Sequence, residues 1–510
     1  MTWDSSDGAC RPATSSFTKR SSSGSDSGAA TSIQELSSIV TQILERAPQP
    51  VRGRFRLFVR YLRRKPGRWL TVVYSADALS ARRRSPAHLV TVTLDEDALA
   101  GTQVRFNASQ VQQAELELHA PGTVKVARLG LTVQVFPADS GLLGLAESCT
   151  VARDSILFRV LETAARVQLA EGNWHLCSAE VEPIRYKPSS RCVLRYSLEL
   201  QRSFGETSVY RELSLYGKVY SDPEKAATLH SLLQQLYAEQ ARAGEPIMPR
   251  PLRMVGRLGL TLNEAIQSVE GAEPLRTGLQ ALQPRFIRGC AGEVLDVVIP
   301  EKELCITAEA LARLHTSTIR LPGPLRTGAE EAKRATARAA LIASYYSAQA
   351  EAVQRLAQQV ATRLEVLQPD AYRVAHGGFK PSQLLFCGER AFVVDMDGLC
   401  LADAALDVGY FLAYLRPSGL WYHRSGMCAW SQRAMASFRK AYRQALFKHG
   451  IGEATTCKIL QRACLYEAAT LLKIATRRVH RLNSPRPAEL SAMLAEITEC
   501  LSNGHQPDVL

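Results

Sequence analysis

The stretch that decides the fold runs from Val374 to Leu415 and reads VAHGGFKPSQLLFCGERAFVVDMDGLCLADAALDVGYFLAYL. A short loop opens at His376. Two apolar runs follow, LLF from Leu384 and FVV just ahead of Asp395. Apolar runs separated by a short polar segment are typical of a β-hairpin. The sequence therefore predicts a loop and then a hairpin whose second strand ends in a carboxylate pair, Asp395 and Asp397.

A loop after a buried turn, with a carboxylate pair at the mouth of a hairpin, is how kinases hold nucleotide-bound magnesium beside a hydroxyl acceptor. The stretch resembles the aminoglycoside phosphotransferase and choline kinase-like family. That family has H-G-D-x-x-x-x-N/Q, then hydrophobic-D-x-D, then D-x-x-x-D. Asp403 and Asp407 supply the last pair. At the position of the family's catalytic Asp this chain has Gly378.

The resemblance covers roughly residues 176–500. It implies an α+β class, namely a bilobal protein kinase-like fold with a small β-rich N-lobe and a helical C-lobe. The cofactors it implies are ATP and Mg²⁺, and the partner it implies is a small molecule that offers a hydroxyl group as acceptor. The acceptor itself is not identified by the sequence.

The metal ligands that the resemblance implies are Gln383, Asp395 and Asp397. Gln383 follows position 378 by five residues, where the family has its Asn or Gln ligand. Its amide oxygen suits a hard cation. Asp395 ends an apolar strand and is expected to bridge magnesium between phosphates, whereas Asp397 is expected to bind a second metal or to fix the loop.

The expected nucleotide contacts lie in the N-lobe. Lys218, late in a predicted central strand, is the candidate for the α/β-phosphates, because a lysine there is awkwardly placed unless it meets an anion. Its carboxylate partner is left open between Glu224 and Glu239. Ser189 and Ser190, in a hairpin turn without the usual glycines, have backbone N–H groups that can approach phosphate.

Two residues of the loop have different expected roles. We interpret His376 as architectural, a hydrogen-bonding residue that ties the loop to the metal-binding Asp. Lys380 either neutralises charge on the transferring phosphoryl group or is a solvated loop lysine. Of Asp403 and Asp407, one is expected to cap the helix that follows or to bind backbone N–H groups of the loop.

Gly378 decides what can be said about catalysis. The missing Asp normally orients the acceptor hydroxyl and takes its proton, and general-base catalysis contributes roughly 10²–10⁴-fold. Asp397, a water or a substrate group can stand in, and metal and lysine still act on a loose transition state. The preferred function is therefore transfer of the γ-phosphoryl of Mg-ATP to a small-molecule hydroxyl. The alternative is a pseudokinase that acts as a nucleotide-binding regulator or scaffold.

Composition narrows the remaining classes. The net charge is +13, but the basic residues are dispersed and no aromatic-rich RNA-binding motif accompanies them, so nucleic acid is not the indicated partner. No apolar run approaches the roughly 20 residues of a membrane span. Twelve cysteines lie singly, which favours reduced, mostly buried thiols in a cytoplasmic protein over disulfides or a zinc site.

The chain divides into four predicted parts. Residues 1–31 are rich in Ser and Gly and are expected to be a disordered tail without a secretory signal. Residues 33–150 form an accessory α/β region that offers a site for a protein partner. Residues 176–275 form the N-lobe, and residues 276–505 form the helical C-lobe with the loop region 374–415.

Two predicted hairpins, Phe58–Ser75 and Pro183–Gln201, share an Arg-Tyr pair and a Lys-Pro turn. Common ancestry and two unrelated hairpins both fit. Further strands are predicted at Leu89–Leu94, Gln103–Phe106 and Val124–Phe136.

Overall fold

The computed structural model describes residues 28–46, 55–65, 69–78, 88–95, 117–127, 130–169, 173–204, 207–267, 273–416, 424–480 and 487–503. Residues 1–27 of the predicted tail and the predicted strand Gln103–Phe106 lie outside the described residues. A helix, α1, spans Gly28–Arg46 and so begins inside the predicted tail. The expectation of disorder is therefore wrong for residues 28–31.

The accessory region is one antiparallel sheet of six strands with α1 packed on it, in the order β1-β2-β3-β6-β5-β4. Residues Leu36, Ile39, Val40, Ile43 and Leu44 form the apolar stripe with which α1 covers the sheet core. The strands are β1 Phe55–Lys65, β2 Trp69–Ala78, β3 His88–Asp95, β4 Glu117–Ala120, β5 Thr123–Val126 and β6 Leu131–Val135.

The single strand predicted over Val124–Phe136 is wrong. The chain forms two antiparallel strands there, because Gly130 takes a left-handed φ of 57° and turns the backbone back on itself. Only glycine adopts that conformation without cost. The hairpin predicted over Phe58–Ser75 is confirmed by the pairing of β1 with β2.

The N-lobe is an antiparallel sheet in the order β10-β11-β9-β8-β7. The hairpin predicted over Pro183–Gln201 is confirmed, and so is the predicted strand that carries Lys218. A helix begins after Asp222, whose side chain accepts from Lys225 N and caps it. Its elements, with the two helices before it, are α2 Leu145–Ser148, α3 Ile156–Leu169, β7 His175–Lys187, β8 Arg191–Phe204, β9 Thr207–Tyr220, α4 Pro223–Arg242, β10 Pro251–Val255 and β11 Leu260–Glu264.

The C-lobe is mostly helical, as predicted, and the long Ala-rich pattern of Gly328–Leu367 is broken once, at Tyr346. Its helices are α5 Gly278–Ala281, α6 Glu301–His315, α7 Gly328–Tyr345, α8 Ala350–Glu365, α9 Ala405–Leu415, α10 Met427–Lys448, α11 Glu453–His480 and α12 Pro487–Asn503.

Small antiparallel strand pairs frame the loop region. Strand β15 pairs with β18, while β16 pairs with both β12 and β17, so the predicted hairpin ahead of Asp395 is confirmed. The pair β13–β14 was not anticipated. The strands are β12 Arg276–Thr277, β13 Arg285–Arg288, β14 Val294–Val298, β15 Arg373–Ala375, β16 Leu384–Cys387, β17 Arg390–Val393 and β18 Cys400–Ala402.

Three apolar cores result, one in each part. The N-lobe core already includes Leu142, Leu145 and helix α3, which pack against the sheet of β7–β11. A β-rich lobe followed by a helical lobe is the predicted α+β, bilobal kinase-like architecture, and it is confirmed. The boundaries at residues 150, 176 and 276 stay predictions.

Two compositional expectations can be compared with the described residues. Within them, no helix is both long and apolar enough to cross a bilayer. The described cysteines are free thiols, but only Cys192, Cys464 and Cys500 are buried. The expectation of mostly buried thiols is therefore wrong.

Candidate functional site

Asp407 holds the loop that carries Gly378. It is fully buried in the first turn of α9. Its Oδ2 accepts from His376 N at 2.6 Å, and its Oδ1 accepts from Gly378 N at 3.0 Å and from Phe379 N at 3.3 Å. Burial favours the neutral carboxyl, yet His315, His376 and the N–H donors hold the pKa of Asp407 below its ordinary value.

The expected structural roles of the last Asp pair are thereby confirmed. Asp407 binds the backbone N–H groups of the loop. Asp403 accepts from Ala405 N at 3.1 Å at the start of α9 and from Arg462 Nε at 2.7 Å.

His376 ties the loop to the segment that carries Asp395, as expected. Its Nε2 lies 3.2 Å from the carbonyl oxygen of Val394, the residue before Asp395. The imidazole is buried. Its place between two backbone segments fits an architectural role.

The two glycines of the loop differ. Gly377 has a φ of 75°, and a Cβ there would meet Gly398 O at 2.3 Å. Gly378 has no positive φ, and a Cβ there would lie 3.4 Å from the nearest atom, on the ring of Tyr410. The backbone therefore requires glycine at position 377 but accepts a side chain at position 378.

The D-x-D carboxylates meet two cations from the N-lobe sheet. Lys218 Nζ lies 2.6 Å from Asp395 Oδ1 and 2.5 Å from Asp397 Oδ1. Arg191 donates to Asp395 Oδ2 at 3.2 Å and also to Asp397. Tyr220 donates its hydroxyl to Asp397 at 2.9 Å. The structure thus brings Lys218, Asp395 and Asp397 together.

The charges around Asp395 decide its protonation. Burial raises the pKa of this carboxyl, but the ammonium of Lys218 and the guanidinium of Arg191 outweigh burial and hold the pKa below its ordinary value. Asp395 also has a left-handed φ of 64°, uncommon for a residue with a side chain. An ionised carboxylate on a constrained backbone is a feature of functional sites.

Lys218 pairs with neither Glu224 nor Glu239, the two candidate partners. Its ammonium group contacts Asp395 and Asp397 instead. Glu239 instead accepts from Thr318 N at 2.8 Å and from Thr318 Oγ1 at 2.6 Å. Glu224 lies in the first turn of α4. Lys218, from the N-lobe sheet, is therefore paired with two carboxylates of the other lobe.

Gln383 is bonded through its backbone to the segment that leads into Asp395. Its backbone carbonyl oxygen accepts from Val394 N at 2.9 Å. Its side-chain Oε1 is buried and has no hydrogen-bond partner among the residues that the structure describes. A buried amide oxygen left without a partner costs about 1–3 kcal/mol. Together with Asp395 and Asp397 it makes a set of hard oxygen donors, which fits Mg²⁺.

The hairpin turn between β7 and β8 differs from expectation. Ser189 N donates to Asp139 Oδ2 at 2.8 Å, and Ser190 N donates to Lys187 O at 3.2 Å. Both N–H groups are thus engaged within the protein, so these bonds do not support their expected approach to phosphate. The cations flanking the turn, Lys187 and Arg191, are the groups that carry charge there.

Sequence reasoning missed Arg191, Tyr220 and Lys187. Arg191 and Tyr220 are direct neighbours on β8 and β9, a register that the two strand patterns alone do not fix. Burial and the nearby charges of Arg63 and Arg191 lower the pKa of Lys187 to about 8. Lys380 lies with its Nζ 5.7 Å from the ring centre of Tyr414, and its role stays a prediction.

Residues 210–454 match the model of the phosphotransferase enzyme family. This match agrees with the resemblance stated from the motifs, which is confirmed over residues 210–454. No curated protein matches the chain by sequence.

Among solved structures, the chain is similar to a glucosamine kinase at 16% identity, over 92% of this chain and 100% of that chain, with a TM-score of 0.40. It is similar to a choline/ethanolamine kinase family protein from Mesorhizobium loti at 13% identity, over 68% and 96%, with a TM-score of 0.36. Both TM-scores are low, so the resemblance to the family rests on the match of residues 210–454.

Replacement of Asp407 by Ala tests the loop anchor. We expect Asp407→Ala to lower the free energy of unfolding by about 3–5 kcal/mol, because it leaves three loop N–H donors and the His315 ring without their buried acceptor. Urea unfolding measures this. The control is Asp370→Ala, an exposed carboxylate on a surface ion pair, with an expected change within about 0.5 kcal/mol. Equal stability of the two variants would contradict the anchor.

Proposed function

We propose that the chain binds Mg-ATP between its two lobes and transfers the γ-phosphoryl group to a hydroxyl of a small molecule. The observation that carries this proposal is the meeting of Lys218 and Arg191 with Asp395 and Asp397. Gln383, which is bonded through its backbone to the residue before Asp395, adds a buried amide oxygen without a partner among the described residues. Cations suit phosphate oxygens and hard oxygen donors suit Mg²⁺.

Each residue has a proposed role that follows from its charge and position. Lys218 and Arg191 bind the phosphates and exchange their contacts with the D-x-D pair for contacts with phosphate oxygens. Asp395, Asp397 and Gln383 hold the cation. When bound, Mg²⁺ neutralises negative charge on the phosphates and so assists transfer.

The acceptor side is proposed to lie along the loop at Gly378 and Lys380. Lys380 neutralises charge on the transferring group. The acceptor proton goes to Asp397, to a water or to a group of the substrate, since Gly378 offers no base. A cytoplasmic location belongs to the same proposal, and the free thiols of the described cysteines are what a reducing compartment gives.

A second function is favoured by Gly378 itself. Without the family's carboxylate, the chain can act as a pseudokinase, a nucleotide-binding regulator or scaffold that uses residues 33–150 for a protein partner. Nucleotide binding is common to both proposals. Phosphoryl transfer distinguishes them.

Mg-ATP is expected to raise the melting temperature. Stabilisation follows RT ln(1 + [L]/Kd), so saturation at about 100 Kd gives about 2.7 kcal/mol. Asp395→Ala is expected to remove most of this gain because it removes a cation ligand, whereas Asp296→Ala, at an exposed carboxylate, keeps it. Differential scanning fluorimetry with millimolar Mg-ATP measures the shift. No shift in the wild type would refute the nucleotide site.

The affinity for Mg-ATP is expected to fall about tenfold between pH 7 and pH 9. The cationic form of Lys187 attracts the phosphates, and its pKa of about 8 means that most molecules lose this charge across the interval. Lys187→Met is expected to abolish the dependence, and Lys458→Met, an exposed lysine of the C-lobe, to retain it. Isothermal titration calorimetry across the pH range decides. An unchanged slope in Lys187→Met would exclude Lys187 from the site.

Gly378→Asp distinguishes a weak kinase from a pseudokinase. A Cβ at this position would make an ordinary van der Waals contact with the ring of Tyr410 and no closer one, so we expect the variant to fold. In a weak kinase, turnover is expected to rise roughly 10²-fold or more, the range of general-base catalysis. The matched control is Gly378→Asn, which fills the same space without a base.

The measurement is ATP consumption over a panel of sugar, amino-sugar and amino-alcohol acceptors. A pseudokinase whose acceptor pocket has changed shows no gain. Robust turnover of the wild type, equal in Gly378→Asp, would mean that position 378 is not the site of the base.

A further inference from the structure

The segment that leads from the accessory sheet to the N-lobe carries a buried carboxylate to which no role has been assigned so far. Asp139 is 7% exposed. Its Oδ2 accepts from Tyr186 Oη at 2.7 Å and from Ser189 N at 2.8 Å, while its Oδ1 accepts from Gly141 N at 2.8 Å and lies 3.4 Å from Ser189 Oγ. The Asp139 side chain therefore binds both the end of strand β7, at Tyr186, and the turn that follows it, at Ser189.

Packing at the same place is tight. A Cβ added at Gly141 would lie 2.5 Å from Ser189 Cβ, so only glycine lets the two segments approach this closely. Ser189 has a left-handed φ of 53°, a conformation uncommon for a residue with a side chain. The turn is held in that conformation by contacts from outside its own hairpin.

Tyr186 extends the contact into the accessory sheet. Its hydroxyl also accepts from Thr91 Oγ1 at 3.4 Å, on β3, and its ring meets Phe136 edge-on with centroids 5.4 Å apart. Burial, with the charge of Asp139, raises the pKa of Tyr186, so the hydroxyl stays protonated and donates to Asp139. Polar and aromatic contacts thus join the accessory sheet, the connecting segment and the β7–β8 hairpin.

The turn that Asp139 holds lies directly before Arg191, which contacts Asp395 and Asp397. Lys187 stands at the other end of the turn. Burial lowers the pKa of Lys187, and the charge of Arg63, on strand β1 of the accessory sheet, lowers it further. Both cations that flank the turn therefore depend, for position or for charge, on residues of the accessory region and its connecting segment.

We propose that the accessory region is part of the nucleotide site, with Asp139 as a positioning residue that fixes the 187–191 turn over the phosphates of the nucleotide. This inference rests on the proposed function. It assigns residues before 150 a role in recognising the triphosphate, in addition to any partner they bind. Asp139 does not itself contact the nucleotide, because its carboxylate would repel the phosphates; it acts through Lys187 and Arg191.

The test compares binding of Mg-ATP with binding of adenosine, which lacks phosphates, to the full chain by calorimetry. Asp139→Ala is expected to weaken Mg-ATP by about tenfold or more, since the charged hydrogen bonds that hold the turn are lost. Its affinity for adenosine is expected to stay unchanged. Asp154→Ala, at an exposed carboxylate before α3, is the matched control and retains both affinities.

A second variant guards against misfolding of the first. Gly141→Ala keeps every polar group but forces Ser189 away, and it is expected to show the same selective loss. Hydrogen exchange provides a readout without nucleotide: the Ser189 amide is expected to exchange faster in Asp139→Ala than in the wild type.

The outcomes are distinct. Selective loss of Mg-ATP affinity in both variants supports the proposal. Wild-type affinity in both, or equal loss for adenosine and Mg-ATP, overturns it and leaves the proposed function intact. A wild type that binds neither ligand refutes the proposed function and this inference with it.

Discussion

Asp407 lies out of contact with solvent and accepts hydrogen bonds from three N–H groups of one loop, and the site depends on this arrangement. A buried charge is costly unless it is paired and hydrogen-bonded. The loop supplies the donors and His315 supplies a further partner, so the charge and the loop conformation sustain each other. None of these bonds uses the side chain at position 378. The loop therefore keeps its shape although it lacks the carboxylate typical of the family.

The second constraint is electrostatic and joins the lobes. Lys218 and Arg191 come from the N-lobe sheet, whereas Asp395 and Asp397 follow a strand of the other lobe. The four charges balance, and they are largely shielded from solvent. A ligand that combines a divalent cation with phosphates brings both signs of charge, so it can exchange partners with both pairs. This matching of charge types underlies the proposed function.

Features that depend on neighbours in sequence were predictable. The hairpin before Asp395 and the hairpin over Phe58–Ser75 are local patterns, and so is the order of the loop motif. Contacts between distant residues were not predictable. Arg191 meets Asp397 across 206 positions, and Asp139 meets Ser189 across 50. Such pairs follow from strand register and from the packing of one region on another, which a local pattern does not specify. The strand prediction over Val124–Phe136 failed because its apolar pattern hid the turn at Gly130.

The backbone at position 378 has a consequence for the history of the chain. Its φ is not one that glycine alone adopts, and a Cβ there would make an ordinary van der Waals contact with the ring of Tyr410. A glycine codon that ends in a pyrimidine becomes an aspartate codon by a single base change. With such a codon, one base change separates glycine at this position from the acidic residue of the family. The loop backbone accepts either residue, because it is held by Asp407 and not by the side chain at position 378.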